Sequence, residues 1–377
     1  MLPDGWTIRR LEDLATVERG KFSARPRNDP KFFGGDIPFV QTGDVTNSSI
    51  YVRNYSQTLN KEGLSVSKIF PKGTILMTIA ANIGDTAIAS FDLACPDSLV
   101  GIIVKKNKAD AYWLRIFLGT QKTTLENYAP QNAQKNINLQ TLKPLEILTP
   151  PLPEQKKIAA ILSTWDRAIE GTETLLANSR QQKKALMQQL LTGKKRLPGF
   201  TGEWFHLPFK KVAELIYGKA LPEKPSAHTT VYPVYGTGGI ISYRDEYLFE
   251  GPSIIIGRKG TIDTPRYVNT PFWCIDTTFY CKSIHNNDVK FLYYSTCFVK
   301  LRRYVEASGV PSLSRDTIYS IPLMLPPLLS EQKAIAAVLT TADEEITTLE
   351  SDLSRLRQEK KALMQQLLTG KRRVTVD

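Results

Sequence analysis

The twelve residues KKALMQQLLTGK occur twice in this chain, at 183–194 and again at 360–371. The likeness extends upstream at a constant offset of 177, so that residues 154–193 align with 331–370 without a gap, and 25 of the 40 positions are identical. Each copy follows a proline pair, Pro150-Pro151 or Pro326-Pro327. Each ends in Leu-Thr-Gly before a basic triplet, Lys194-Lys195-Arg196 or Lys371-Arg372-Arg373. Proline is not tolerated in a helix interior, glycine suits a helix stop, and cations complement the negative end of a helix dipole. Each copy therefore predicts one helix of about 40 residues, about 60 Å long.

Inside these helices, apolar residues recur at alternating spacings of four and three. Ile158, Leu162, Trp165, Ile169, Leu176, Leu186 and Leu190 mark the first seam, completed by Thr172, Ser179 and Lys183. Ile335, Leu339, Ile346, Leu349, Leu353, Leu356, Leu363 and Leu367 mark the second, completed by Ala342 and Lys360. A narrow apolar seam with polar flanks favours a coiled coil, and two such seams in one chain bury most economically against each other. The alternative is that each helix packs on its own globular neighbour. Lys183 and Lys360 interrupt both seams at the same place. Their stems are expected to snorkel past the apolar rows, with a register or partner role as the alternative.

At 377 residues the chain has room for two or three domains, each with its own core. No apolar run reaches the length of a membrane span, and the start, MLPDGWTIRRLEDL, lacks a signal-peptide layout, so a cytoplasmic protein without membrane contact is expected. The four cysteines include no C-x-x-C pair and there are only three histidines, which predicts buried, reduced thiols and no metal site. The net charge of +12 suggests a polyanionic partner. The helix at 154–193 carries six basic and four acidic residues and that at 331–370 five and seven, so the pair is neutral. The surplus lies in the two triplets and in the segments between the helices. The triplets read first as solvated helix ends, and second as contacts to that polyanionic partner.

Those intervening segments repeat faintly. Trp6 stands fourteen residues before Gly20-Lys21, and Trp204 fourteen before Gly218-Lys219. IPFVQTGDV at 37–45 answers YPVYGTGGI at 232–240, and a strand at 72–80 answers one at 250–260. A helix is predicted at 111–128 and at 289–305, and a turn and strand close each segment at 135–148 and 311–325. A scaffold kept twice with its exposed residues changed is what two readers of different targets would look like.

The alternation of variable segment, PPLPEQ-type helix ending LMQQLLTGK, second variable segment and second such helix resembles the specificity subunit of type I restriction-modification systems. LLSEQ at 328–332 stands where the first copy has LPEQ. The resemblance covers essentially the whole chain. It implies an α+β fold with two similar α/β target recognition domains, at 1–150 and 197–327. The long helices at 151–196 and 328–377 then form an antiparallel coiled coil with internal pseudo-twofold symmetry. It further implies a non-catalytic subunit in which each domain reads one half of a bipartite site in double-stranded DNA. Two adenine methyltransferase subunits, which hold S-adenosylmethionine, would dock on it, and ATP-dependent restriction or translocase subunits are further partners. A non-catalytic coiled-coil scaffold or protein-binding adaptor is the alternative from another class. The chain itself shows neither a G-x-x-x-x-G-K-[ST] phosphate loop nor an Asp/Asn-Pro-Pro-Tyr/Phe stretch, and no cofactor is expected in it.

Base contacts should come from polar, planar or forked side chains on loops of the variable segments. The first offers Lys21, Arg25, Arg27, Gln41, Thr42, Asp44, Asn82, Lys135 and Asn136. By position in the faint repeat, the second offers Lys219, Tyr235, Thr237, Arg258, Lys259, Ser312, Ser314 and Arg315. Arginine can grip guanine and an amide can grip adenine, each with two hydrogen bonds, whereas the alternative for any one of these residues is a solvated loop position or a phosphate contact. Acid pairs such as Asp343-Glu344 read as solvated helix faces.

Overall fold

The computed structural model describes residues 2–80, 82–128, 136–221, 231–305 and 309–376. The chain forms two compact units, one of residues 1–170 with 354–377 and the other of residues 171–353. Each combines sheets, a packed helix and part of each long helix. The long helices run Leu152–Leu190 and Leu329–Leu367. Both stop where expected, with Gly193 and Gly370 at φ of 67° and 70°. The amide of Lys195 returns to the Gln189 carbonyl and that of Arg372 to Gln366, both at 3.1 Å, which satisfies carbonyls the helix ends would leave bare.

In the first unit, strand Ala15–Arg19 pairs with Leu99–Val104, which pairs with Ile75–Thr78. In the second, Ala213–Tyr217 pairs with Thr278–Ser283, which pairs with Ser253–Gly257. A short antiparallel pair closes each unit, Thr7–Arg10 with Glu146–Thr149 and Phe205–Pro208 with Pro322–Leu325. The predicted domain helices each break once. The first is Ala111–Thr120 followed by Lys122–Tyr128; the second is Val289–Val299, after which Lys300 takes a left-handed conformation, φ 57°, and turns Leu301 into the core. The two units also diverge after the IPFVQTG-like strand. Phe33–Phe39 leads into a short helix, Thr42–Thr46, whereas Tyr232–Gly236 turns at Thr237-Gly238 into the strand Gly239–Arg244. The second copy has glycine at the positions a tight hairpin requires, with Gly239 at φ 130°.

None of the seam residues is exposed. The ends of the seams enter the globular cores. Ile158, Leu162 and Leu367 join the first, and Leu190, Ile335 and Leu339 join the second. Each such side chain is worth roughly 1.5–3 kcal/mol of burial. Towards the middle the helices face each other, and within each unit they run antiparallel. In the second unit, Ser179 donates to Glu345 at 2.8 Å and Arg180 pairs with Glu350 at 2.6 Å. Both packing modes anticipated for the seams thus occur, at different places along the same helices.

The seam lysines do not simply snorkel. Lys183 ion-pairs with Asp343, which also accepts from the Tyr294 hydroxyl at 2.8 Å. Lys360 ion-pairs with Asp166, which also accepts from the Tyr112 hydroxyl. Asp343 is therefore not a solvated acid. The two aspartates are 177 residues apart, as are the two lysines, so the polar cluster is itself part of the repeat. The basic triplets are also more than helix ends. Arg196 grips Glu331 through Nε and Nη2 at 2.6 and 2.7 Å, and Arg373 grips Glu154 at 2.8 and 3.0 Å. Both glutamates are buried and sit in the first turn of a long helix, where the helix dipole favours an anion.

Candidate nucleic-acid interface

The Gly-Lys pairs noticed in the sequence occupy a tight crossing in each unit. Gly20 donates to the Leu99 carbonyl at 2.9 Å and Lys21 to Cys95 at 3.0 Å; Gly218 donates to Thr278 at 3.0 Å and Lys219 to Cys274 at 2.9 Å. A Cβ on Gly20 would lie 2.2 Å from the Pro96 carbonyl oxygen, and on Gly218 2.1 Å from that of Ile275. Only glycine lets the strand end approach this loop, and the loop in turn carries Asp97-Ser98 or Asp276-Thr277 to the surface. The thiols beneath are withdrawn from chemistry. Burial pushes Cys95 up to about 12 and Cys274 up to about 11, so neither forms a thiolate near neutral pH.

From this crossing the same ladder of main-chain bonds continues in both units. Ile79 donates to the Ser98 carbonyl at 3.1 Å, and Arg258 to Thr277 at 2.8 Å. Ile137 donates to Ile79 at 3.0 Å, and Leu313 to Arg258 at 3.0 Å. Beside these rungs, Asn136 bridges to Ala80 and Ser312 to Lys259. Three chain segments distant in sequence are thereby fixed side by side, with a strand end, a post-strand loop and a closing turn all presented on one surface.

In the first unit, Lys21, Arg25, Asn82 and Asn136 are exposed there. Arg27 pairs with Asp97 at 2.8 Å, and Arg25 donates to the Ala24 carbonyl at 2.7 Å. The Gln41 amide donates to Gln57 at 2.9 Å, and the Thr42 and Ser98 hydroxyls lie 3.1 Å apart. Asp44 is occupied with closing its own loop, accepting from the Gln41 amide nitrogen at 2.8 Å and the Ser56 hydroxyl at 3.1 Å. Lys135 lies outside the described residues. Arg19, Asp97, Ser98 and Gln57 belong to this surface and were not singled out from the sequence; Arg19 donates to the Asp97 carbonyl at 2.6 Å.

In the second unit, Lys219, Lys259 and Arg315 are exposed, and Arg258, Thr237 and Ser312 half-buried. Arg258 and Arg315 both lie over the ring of Tyr217, at 5.3 and 5.4 Å from its centre. Tyr217 is 42% exposed and is the main residue the sequence reading missed here. Two positions serve the scaffold. Ser314 caps the helix Arg315–Ser320 by accepting from the Thr317 amide at 3.0 Å, and Tyr235 packs edge-on against Phe272. Among the described residues no group of His, Cys, Asp and Glu side chains gathers as a metal site would require, and no helix is long and apolar enough to cross a membrane.

The sequence profile of the family described as the type I restriction modification DNA specificity domain matches residues 3–178 and 202–356, most of the chain and both units. The chain belongs to this family. Among relatives, the type I restriction enzyme MjaVIII specificity subunit of Methanocaldococcus jannaschii is 24% identical over 422 aligned positions, covering 99% of this chain and 94% of that protein. The MjaIX specificity subunit of the same organism is 31% identical over 174 residues, covering 45% of this chain and 40% of that protein. The fold is shared with the S subunit of the type I restriction-modification system of M. genitalium, at a TM-score of 0.71 and 19% identity over 97% of each chain. Within the specificity-domain family, then, this member builds the α+β fold with two similar units expected from its repeats.

Proposed function

We propose that this chain is the DNA-reading subunit of a type I restriction-modification complex, that each unit reads one half of a bipartite duplex site, and that the chain catalyses no step itself. One observation carries this reading. The same main-chain ladder presents the same three segments in both units, while the side chains it displays differ, as expected of one reading frame adapted to two base sequences. The basic surplus outside the long helices would meet phosphates, and the loop side chains would meet base edges in the grooves. The reading places the protein in the cytoplasm, where such DNA is found. The test is selection from a randomised duplex library with the purified chain at two salt concentrations. A two-part motif with a fixed gap and steeply salt-dependent affinity is expected; recovery of no common sequence would overturn the reading.

The segment spelled twice bears on the partners. Lys184, Ala185, Gln188 and Gln189 are exposed, as are the identical Lys361, Ala362, Gln365 and Gln366. Earlier on the same helices exposed positions are kept in some places and changed in others, as in Arg167 against Glu344 and Asn178 against Arg355, whereas from 183 to 194 and from 360 to 371 every residue is the same. Packing does not require a solvated face to be kept identical, whereas a partner that binds twice does. Two copies of one partner would dock there. On this reading they are adenine methyltransferase subunits, which bring S-adenosylmethionine, with ATP-dependent restriction subunits joining them. Charge reversal tests this. Lys184→Glu should reduce the stoichiometry from two methyltransferase subunits to one, and Lys184→Glu with Lys361→Glu should abolish assembly while leaving DNA selection intact. Two bound subunits on the double variant would contradict it.

A further inference from the structure

The repeated ladder does more than suggest two readers, because it sorts the exposed residues by whether the two units agree. At equivalent rungs, Lys21 matches Lys219, identical in both units. Other rungs carry different residues. Arg19 stands where the second unit has Tyr217, Ile79 where it has Arg258, and Leu139, first residue of the helix Leu139–Leu142, where it has Arg315. What the two half-sites have in common is the sugar-phosphate backbone, and what distinguishes them is their bases. A residue kept at both rungs suits the common part; a residue found at only one suits the part that differs.

The second unit's differing residues form a defined group. Arg258 and Arg315 are held over one tyrosine ring, and among the described residues neither guanidinium meets a carboxylate. Arg258 makes a long contact, 3.4 Å, to the Asp276 carbonyl. Two cations held over one ring, with no carboxylate partner among the described residues, keep donors available for a ligand, and the ring restricts where they sit. The first unit lacks this group. Ile79 is buried, Arg19 is spent on the Asp97 carbonyl, and Arg27 is neutralised by the Asp97 carboxylate.

We infer that Arg258 and Arg315, positioned by Tyr217, determine specificity for guanine in the half-site read by the second unit, and that Lys21 and Lys219 hold phosphates in both half-sites. The forked donors match the two acceptors on the major-groove edge of guanine, O6 and N7, with a fixed planar geometry; lysine reaches the same acceptors only as a point charge on a flexible stem. This inference rests on the proposed DNA-reading function but can fail separately from it.

The experiment is duplex selection with the full chain and single variants, followed by affinity measurement on the selected site over a range of salt. Arg258→Lys and Arg315→Lys keep the charge and remove the fork. Each should lower the preference for guanine at one position of one half-site by about tenfold or more, with the other half-site unchanged. Lys219→Met should weaken all sequences by a similar factor, leave every selected letter in place and reduce the salt slope by about one. If the unmodified chain selects no motif, the DNA-reading function itself fails. If it selects a motif whose letters survive both arginine substitutions, or whose letters change in Lys219→Met, the assignment made here is overturned. Circular dichroism of each variant establishes that it is folded before selection.

Discussion

Replacing Arg196 by methionine is expected to cost about 3 kcal/mol of stability. Its partner Glu331 is fully buried in the first turn of the second long helix, and Arg196 closes on both carboxylate oxygens at 2.6 and 2.7 Å. Removing the guanidinium leaves a carboxylate with no water to solvate it and no cation to pair with. Breaking such a pair from one side costs roughly 3–5 kcal/mol, and the lower end applies because the arginine side chain retains 25% exposure. Arg196 also donates to the carbonyls of Thr201 and Gly202 and lies over the Trp204 ring, so the loss extends to the start of the second unit's globular part. Replacing both members, Arg196→Met with Glu331→Leu, removes the stranded charge and should recover part of the loss. Denaturant unfolding of the full chain checks this through the transition midpoint. A loss below about 0.5 kcal/mol for Arg196→Met would show that the pair behaves as an ordinary surface ion pair.

The long helices and their seams were legible because periodicity and helix-stop chemistry are local signals, and Gly193 and Gly370 mark the ends as their sequence context suggests. The polar pairs between the helices were not. Lys183 meets Asp343, and Arg196 meets Glu331, only because the chain returns antiparallel after more than a hundred residues; nothing next to Lys183 in sequence announces an aspartate. A signal was nonetheless present. Lys183, Asp166, Glu154 and Arg196 all recur at the same offset of 177, and charged residues kept at four matched places are more than solvated faces require.

The candidate interface was legible in part. The Gly-Lys pairs were visible as a spacing from tryptophan, but the reason for glycine is a carbonyl oxygen 76 residues away at Pro96, or 57 away at Ile275, which periodicity cannot supply. Tyr217 reads in sequence as an ordinary strand former, and its exposure follows from its place at the end of an edge strand, Ala213–Tyr217. Asp44 and Ser314 look like polar loop residues suited to bases, yet both close local turns, the competing use to which short polar side chains are often put.

The central claim is that each unit reads its own half of the target, and exchange of one unit's globular part tests it most directly. Every rung of the first unit's ladder, from Gly20 to Ile137, and every exposed candidate on it falls within residues 1–150, while the second unit's ladder runs from Gly218 to Leu313. Replacing residues 1–150 with the corresponding segment of another family member should therefore change one half-site completely, leave the letters of the other untouched, and keep the proposed assembly with methyltransferase subunits, because both repeated helical faces remain. The measurement is a genome-wide map of methylated adenines in cells carrying the hybrid with the methyltransferase proposed as its partner. The account predicts new letters on one side of the gap and the original letters on the other; letters that change on both sides, or on neither, would contradict it.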